Sequence, residues 1–357
     1  MALKQLKTPE TMTSPIKNAG IKTAISELMN GEHLSYERTT EAMAEIMDGK
    51  ATNAQISAYL TALRLKGETV EEITASASVM RNYSEKVHSL ANTLDIVGTG
   101  GDEAYTFNIS TTSAFVIAAA GVPIAKHGNR SASSKSGSAD VLEALGINIH
   151  LTALQSEKIL EELGMCFMFA PTYHPAMKYA APVRKEIGIR TLFNLLGPLA
   201  NPAGARMQML GVYNTQLVKP LAEVLKNLGM EKAMVFCGND GLDEITLTTT
   251  TEVSEIRNGT IRHFQFDPAE YGFDYCHKEE LTGGGPEENA RITLAVLSGE
   301  TGAKRDTVIC NAGLSIYLAK DNLSIMEAIL QAADLIDSGQ ALAKMEQFKQ
   351  LSNEVNK

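Results

Sequence analysis

Three glycines follow an apolar run in the segment LDIVGTGGD. Gly98, Gly100 and Gly101 lack side chains, so their backbone amides can approach an anion closely, and the helix predicted after them adds its free N-terminal amides. Polar side chains at the start of that helix supply further hydrogen-bond donors, namely Asn108, Ser110 and Thr111. The segment matches neither the GxGxxG nor the GxxxxGK[ST] pattern. It predicts a phosphate-binding loop or, equally, a structural turn between a strand and a helix.

A second loop, KHGNRSASSKSGS, concentrates positive charge in an otherwise acidic chain. Lys126, Arg130 and Lys135 can neutralise a polyphosphate, and the serine hydroxyls between them can complete its hydrogen bonds. Two glycines make the loop flexible enough to close over a ligand. A solvated basic loop is the alternative. The loop follows a predicted strand beside the glycine loop, at the edge where open α/β sheets bind ligands, and this favours an anion site.

Two adjacent carboxylates, Asp243 and Glu244, follow the predicted strand KAMVFC in the turn GNDGLDEIT. Adjacent acids beside a polyphosphate site indicate Mg²⁺, because magnesium takes one or two carboxylates and completes its coordination with water and substrate oxygens. The alternative is an ordinary turn with capping or solvated acids, and it applies if the two loops do not bind phosphate.

Arg184 lies in the segment AAPVRKEIG and could hold a carboxylate through two parallel hydrogen bonds. An exposed helical arginine beside Lys185 and Glu186 is the ordinary explanation, and the sequence does not reject it. His174, in the segment PTYHPAM, is expected to be structural rather than catalytic. The segment GGGP at residues 283–286 predicts a turn that leads into a helix.

The elements that must position these residues fall into two groups. Between residues 20 and 85, apolar residues recur in four stripes with helical spacing, and Thr52 and Thr69 begin capping boxes, which predicts a small helical module. From Leu94, short apolar runs alternate with amphipathic segments, which predicts βαβ units and a mostly parallel sheet with helices on both faces. The strand candidates are LDIV, VPIA, MCFMFAP, ARMQMLGVY and KAMVFC, and the helices are expected at 105–120, 136–146, 152–164 and 216–229.

The remaining segments complete the prediction of an α/β fold. A long proline-punctuated segment at 174–200 predicts an excursion over the helical module, and an Asn258-Gly259 turn within 245–266 predicts a hairpin. The chain closes with helices over 288–355. The expected organisation is a small N-terminal helical domain at 19–90, joined by the excursion, and a large α/β domain at 91–173 and 201–357 with a mostly parallel central sheet and a C-terminal helical cluster.

Composition excludes several classes of protein. The 357 residues suggest roughly two domains. The net charge of −10 has the wrong sign for coating nucleic acid or anionic lipid, so neither partner is expected. Cys166, Cys237, Cys276 and Cys310 have no disulfide or zinc spacing and indicate reduced thiols in the cytoplasm. Residues 1–18 predict a flexible leader with no apolar signal region, and no apolar run has the length of a membrane span.

Five segments, taken in order, resemble the anthranilate phosphoribosyltransferases, a family of tryptophan biosynthesis. They are VGTGGD, FNISTT, KHGNRSASSKSGSADVLEALG, the segment from MFAPTYHPAM to LLGPLANPA, and GLDEIT. The resemblance covers residues 21 to 350. It implies transfer of the phosphoribosyl group of phosphoribosyl pyrophosphate (PRPP) to anthranilate, a Mg²⁺ cofactor, a ligand cleft between the two domains, and a homodimer. An association with anthranilate synthase components stays open.

The resemblance also implies site residues. The family's PRPP positions correspond to Gly98, Gly101, Asp102, Thr106, Asn108, Ile109, Ser110, Thr111, Lys126, His127, Gly128, Asn129, Arg130, Ser131, Ala132, Ser133, Ser134 and Ser138. Ser110, Asp243 and Glu244 match its magnesium positions. Gly98, Asn129 and Arg184 match the positions that contact anthranilate. No residue is expected to act as a general base, because the aromatic amine is unprotonated at neutral pH and needs positioning rather than deprotonation.

Two alternatives stay open at this stage. A pyrimidine nucleoside phosphorylase of the same fold resembles this chain in the glycine loop, but it has a glycine-rich stretch where this chain has KHGNRSASS. A non-catalytic relative that binds nucleic acid would need a basic surface and eroded acids. The charge of −10 and the presence of Arg184, Asp243 and Glu244 oppose the second alternative.

Overall fold

The N-terminal part of the protein is a helical bundle, as expected. The computed structural model describes residues 20–131 and 134–355, so the predicted leader at 1–18 lies outside the described residues. The bundle helices are α1 (Ile21–Met29), α2 (Tyr36–Met47), α3 (Asn53–Lys66) and α4 (Val70–Asn82). The side chains of Thr52 and Thr69 accept hydrogen bonds from the third residue of α3 and α4, which confirms both predicted capping boxes.

A seven-stranded sheet forms the centre of the remaining chain. Its strands are β1 (Leu94–Gly98), β2 (Ile124–Gly128), β3 (Met165–Phe169), β4 (Met207–Gly211), β5 (Lys232–Gly238), β6 (Thr251–Arg257) and β7 (Thr260–Phe266). The order is β3-β2-β1-β4-β5-β6-β7, and the first five strands run parallel. All five apolar runs predicted as strands therefore form the parallel part of the sheet.

The last two strands form the predicted hairpin. β5 pairs antiparallel with β6, and β6 pairs antiparallel with β7. Asn258 and Gly259 connect β6 to β7 with φ values of 52° and 72°, the left-handed conformations that a tight hairpin turn requires. The hairpin is shorter than the predicted segment because residues 245–250 carry no strand and instead lead from the acidic turn to β6.

Helices cover both faces of the sheet. They are α5 (Ile109–Ala119), α6 (Ser138–Ala144), α7 (Ala153–Leu163), α8 (Ala170–Tyr173), α9 (Ala181–Ile187), α10 (Phe193–Leu199), α11 (Val218–Asn227), α12 (Pro286–Leu297), α13 (Ala303–Ala319), α14 (Ile325–Asp337) and α15 (Gln340–Glu354). One apolar core joins the sheet to α5 and the C-terminal helices, with Phe115 and Phe348 fully buried. A second core joins the other face to the bundle and α11, with Leu60 and Leu225 fully buried.

The predicted excursion packs on the bundle. Between β3 and β4, helix α9 contacts α3, and α10 contacts α4. Arg81 of α4 donates from Nε to the carbonyl oxygen of Leu199 at 2.7 Å, which ties the end of α10 to the bundle. Among the described residues, no helix combines the length and the apolar character of a bilayer span.

Candidate active site

The glycine loop and the acidic turn meet at the carboxyl edge of the parallel strands. The backbone amide of Gly100 donates to Oδ2 of Asp243 at 2.7 Å, and the amide of Ser110 donates to Oε1 of Glu244 at 3.2 Å. A Cβ atom at Gly98 would lie 2.3 Å from Oδ2 of Asp243, so only glycine allows this approach. The two amides predicted to face a phosphate therefore contact the two carboxylates predicted to hold a metal.

Burial and like charges destabilise the ionised form of these acids. Burial raises the pKa of the Asp243 carboxyl, and the neighbouring Asp102 raises it further. Burial and the charge of Asp243 raise the pKa of Glu244 well above its usual value, while Lys126 opposes the shift. Lys126 is itself buried, its Nζ donates to the carbonyl oxygen of Ile96, and burial lowers its pKa. The site has an excess of negative charge that a cation would relieve.

The donor set fits Mg²⁺. Asp243 and Glu244 supply adjacent carboxylates, and the second residue of α5, Ser110, donates its backbone amide to Glu244. Within the part of the chain that the structure describes, no group of three or more His, Cys, Asp or Glu side chains is arranged to hold a metal. Magnesium often takes only one or two protein carboxylates and fills its other positions with water and phosphate oxygens. The chemistry of this turn therefore suits a magnesium that arrives with a phosphorylated ligand.

The glycine loop has an unusual backbone. Four of its residues have left-handed conformations, with φ values of 67° at Gly100, 81° at Gly101, 57° at Glu103 and 53° at Tyr105. Such conformations cost energy at non-glycine residues and persist only where contacts hold them. Arg190 of the excursion provides one contact, because its Nη2 donates to the carbonyl oxygen of Gly101.

Arg190 is a site residue that the sequence argument missed. Its guanidinium stacks on the ring of Tyr213, 4.4 Å from the centroid, and lies 3.9 Å from a carboxylate oxygen of Glu103. Nothing in the segment GIRTLF distinguishes this arginine from Arg184 six residues earlier. Its role depends on the excursion folding back over the glycine loop.

The basic loop begins in β2 and ends in α6. Arg130 is paired with acids of α6, since its Nη1 lies 2.8 Å from Oδ1 of Asp140 and 2.5 Å from Oε2 of Glu143. Its guanidinium also lies over the ring of Phe169. Arg130 is therefore paired with two carboxylates of the protein, and its contact with an anionic ligand stays a prediction.

Two hydrogen bonds within the basic loop connect its residues. Oγ of Ser138 donates to the carbonyl oxygen of Asn129 at 3.2 Å, and Oγ of Ser131 donates to the carbonyl oxygen of Ser134 at 2.5 Å. The predicted residues Ala132 and Ser133 lie outside the described residues. The loop thus brings Asn129 and Ser138 together near the end of β2.

Arg184 lies in α9 of the excursion, and its surroundings differ from those of Arg130. It is half-buried, and its guanidinium lies over the ring of Phe193, 5.3 Å from the centroid. Across residues 20–131 and 134–355 its side chain makes no hydrogen bond or ion pair, and burial lowers its pKa. A partly desolvated cation without a protein counter-charge is suited to an anionic ligand.

Two buried histidines lie together between β2 and the excursion. The rings of His127 and His174 are 5.0 Å apart, and Nδ1 of His127 lies 3.2 Å from the carbonyl oxygen of Gly197. Burial lowers the pKa of His127 to about 3 and that of His174 to about 4, so both rings are neutral at physiological pH. In the described part of the chain, Nε2 of each ring is buried and lacks a hydrogen-bond partner.

Comparisons with known proteins place this geometry in a family. The model of the glycosyl transferase family, a/b domain, matches residues 90–342, and that of the glycosyl transferase family, helical bundle domain, matches residues 22–84. The anthranilate phosphoribosyltransferase of Ruminiclostridium cellulolyticum is 56% identical over 336 residues, which cover 94% of this chain and 98% of the relative. This chain belongs to the anthranilate phosphoribosyltransferase family.

Solved structures of anthranilate phosphoribosyltransferases share the fold. The Thermus thermophilus enzyme superposes with a TM-score of 0.88 at 41% identity, covering 92% of this chain and 99% of that one. The Saccharomyces cerevisiae enzyme in complex with PRPP and Mg has a TM-score of 0.87 at 29% identity, covering 94% and 98%. The resemblance predicted from the five sequence segments and the predicted α/β fold class are both confirmed.

Proposed function

We propose that this protein transfers the 5-phosphoribosyl group of PRPP to the amine of anthranilate and releases pyrophosphate, as its family does. The observation that carries the proposal is the meeting of an acidic turn with a glycine loop at one sheet edge, where the amide of Gly100 lies 2.7 Å from Asp243. The family membership supports the same reaction.

We assign PRPP and its metal to this edge. Mg²⁺ would be held by Asp243 and Glu244 with Ser110, and when bound it supplies positive charge to the pyrophosphate leaving group. The remaining PRPP contacts come from the glycine loop, the first turn of α5 and the basic loop, at the positions named from the resemblance. Arg130 can join them only by leaving Asp140 and Glu143.

Anthranilate binds, in this proposal, on the excursion side of the site. Arg184 holds its carboxylate, because a half-buried guanidinium without a protein counter-charge gains most from a bidentate anion. Asn129 and Gly98 complete the pocket at the ends of β2 and β1. His127 precedes Asn129 by two residues near the end of β2, and its buried ring is neutral and adds no charge there.

The chemistry needs positioning and charge stabilisation rather than a base. Cleavage of the bond between ribose and pyrophosphate develops negative charge on the leaving oxygens, and fixed amides and cations lower the energy of that charge. The amine of anthranilate attacks once Arg184 and Asn129 orient it. Closure of the 126–138 loop excludes water, which would otherwise hydrolyse the sugar.

Three further assignments belong to the proposal. The chain divides into the helical domain at 19–90 and the α/β domain, with the excursion as the connection between them. It forms a homodimer through the bundle, where Met29 and Leu65 are 73% and 84% exposed. It works in the cytoplasm, in keeping with four free cysteines in the described structure. Light scattering of wild type and of Met29→Glu tests the dimer, which the variant should weaken.

A fluorescence assay tests the reaction. Purified protein is mixed with anthranilate, PRPP and Mg²⁺, and the loss of anthranilate fluorescence is followed with and without EDTA. Loss that requires both PRPP and metal supports the proposal. Folded protein that leaves anthranilate unchanged overturns it, and phosphate-dependent release of base from thymidine or uridine would then identify a phosphorylase.

A further inference from the structure

A network of buried hydrogen bonds through two asparagine side chains connects three segments beside the proposed PRPP site. Asn289, in the first turns of α12, is 1% exposed. Its Oδ1 accepts a hydrogen bond from the amide of Gly284 at 2.7 Å, and its Nδ2 donates to Oδ1 of Asn108 at 2.9 Å. Asn108 in turn donates from Nδ2 to the carbonyl oxygen of Ser136 at 3.1 Å.

The backbone groups at the two ends of this network determine the orientation of both asparagine side chains. The amide of Gly284 can only donate, so it requires the oxygen of Asn289 and turns Nδ2 toward Asn108. Asn108 must then present its oxygen to Asn289 and its nitrogen to the carbonyl oxygen of Ser136, which can only accept. Oγ of Ser136 donates to the same oxygen of Asn108 at 3.3 Å and reinforces this orientation.

Close packing joins the start of α12 to the end of the glycine loop. A Cβ atom at Gly283 would lie 2.5 Å from Oδ1 of Asn289 and 2.6 Å from Cα of Phe107. The amide of Gly283 donates to the carbonyl oxygen of Tyr105 at 2.9 Å. The GGGP segment is therefore more than a turn into a helix, because it holds Asn289 against the residues that precede α5.

We propose that Asn289 is a positioning residue that couples the end of the basic loop to the first turn of α5 through Asn108. It touches no substrate. Its role is to fix the distance between Ser136, at the end of the basic loop, and the backbone amides at the start of α5. The phosphates of PRPP require this distance in order to contact both. This role rests on the proposed function, because it presupposes that the loop and the α5 turn bind the same ligand.

Asn289→Ser tests the coupling, since the shorter side chain cannot span from Gly284 to Asn108. We expect the KM for PRPP to rise about tenfold, the size of one lost buried hydrogen bond. The KM for anthranilate should rise less than the KM for PRPP, because Arg184 and α9 do not contact this network and, among the described residues, Asn129 is linked to the loop end only through its backbone carbonyl oxygen. Asn289→Ala serves as a second variant if the serine variant folds poorly.

Thr293→Val is the matched control. Oγ1 of Thr293 lies 2.9 Å from Oγ1 of Thr112, so this pair also joins α12 to α5 by a buried hydrogen bond. It does not involve the side chain of Asn108, and the hydrogen bond from Oγ1 of Thr112 to the backbone carbonyl oxygen of Asn108, 2.9 Å long, can persist in Thr293→Val. The control should lose a similar amount of thermal stability and keep the KM for PRPP. An equal rise in KM for both variants overturns the proposal, because the effect would then be a general loosening of α12.

Hydrogen exchange separates this inference from the proposed function. In unliganded protein, the amides of residues 134–138 should exchange faster in Asn289→Ser than in wild type or in Thr293→Val. Unchanged exchange overturns the coupling even if the enzyme is active. Wild-type protein that consumes no anthranilate overturns the proposed function, and faster exchange in the variant would still support the link between Asn289 and the loop end.

Discussion

The amide of Gly100 donates a 2.7 Å hydrogen bond to Oδ2 of Asp243, 143 residues later in the chain. The contact makes the glycine loop and the acidic turn a single unit, because movement of either would break it. It also explains the need for Gly98, where a Cβ atom would collide with the same carboxylate oxygen.

Asp243→Asn should stabilise the folded protein and reduce its activity. Burial and Asp102 raise the pKa of Asp243, so the ionised carboxylate is unfavourable in the fold and a neutral amide of the same shape relieves that cost. Its oxygen can still accept from Gly100. We expect Tm to rise by about 2–4 °C and kcat to fall about a hundredfold. Calorimetry with an Mg²⁺ titration of activity checks both, and a lower Tm would contradict the electrostatic argument.

Gly98→Ala should lower activity with little effect on folding. The new Cβ atom would force Asp243 to shift by more than half an ångström, and displacements of about 1 Å at a catalytic site cost about a hundredfold in rate. Gly285→Ala is the control, because a Cβ atom there meets only Oε2 of Glu287 at 3.9 Å. Similar rates for the two variants would show that Asp243 does not need its present position.

Arg184→Ala should raise the KM for anthranilate by about 10- to 100-fold, the range of one lost charge-assisted hydrogen bond. The KM for PRPP should change little. Lys185→Ala, next along the chain and exposed, is the control. Steady-state kinetics with each substrate varied in turn makes the comparison, and an unchanged KM for anthranilate would remove Arg184 from the pocket.

Arg190→Ala should raise the KM for PRPP roughly threefold to tenfold, because the strained glycine loop loses a hydrogen bond at Gly101. Arg190→Lys should recover part of the loss, since an ammonium can donate to that carbonyl but cannot stack as a planar group on Tyr213. Kinetic comparison of the two variants tests this order. An equal rise in the KM for PRPP in both variants would mean that the stacking on Tyr213, and not the hydrogen bond to Gly101, holds the loop.

Buried neutral histidines should make the fold sensitive to acid. The pKa of His174 falls from 6.5 to about 4, so below pH 6.5 the unfolded chain takes up a proton that the folded protein refuses. The free energy of unfolding should therefore decrease by about 1.4 kcal/mol per pH unit for this group as pH falls toward 4. Burial raises the pKa of Asp95 to about 6, so this group has the opposite effect and increases the free energy of unfolding as the pH falls toward 4.

The comparison of wild type with His174→Gln isolates the histidine contribution. Chemical unfolding measured from pH 8 to pH 4.5 should show a shallower decline in the variant below pH 6.5 and no difference in slope above it. Parallel curves would indicate that His174 is protonated in the folded protein.

The sequence by itself determined the local elements and the types of group at the site. Helical periodicity and the capping boxes at Thr52 and Thr69 depend on residues within one or two turns of each other, so the helices of the bundle could be predicted. The same holds for the parallel strands, whose apolar runs are continuous because they are covered on both faces. The glycine loop, the basic loop and the acidic pair could be identified because the residues of each are close together in the chain.

The tertiary structure decided which of the charged side chains remain available to bind a ligand. Arg130 and Arg184 are both single arginines in polar segments, yet one is paired with Asp140 and Glu143 and the other has no counter-charge among the described residues. The roles of Arg190 and Asn289 likewise depend on contacts with residues 89 and 181 positions away. Such contacts are set by how the sheet and its two helical layers pack, because hydrogen bonds and ion pairs act over a few ångströms in space, whatever the separation along the chain.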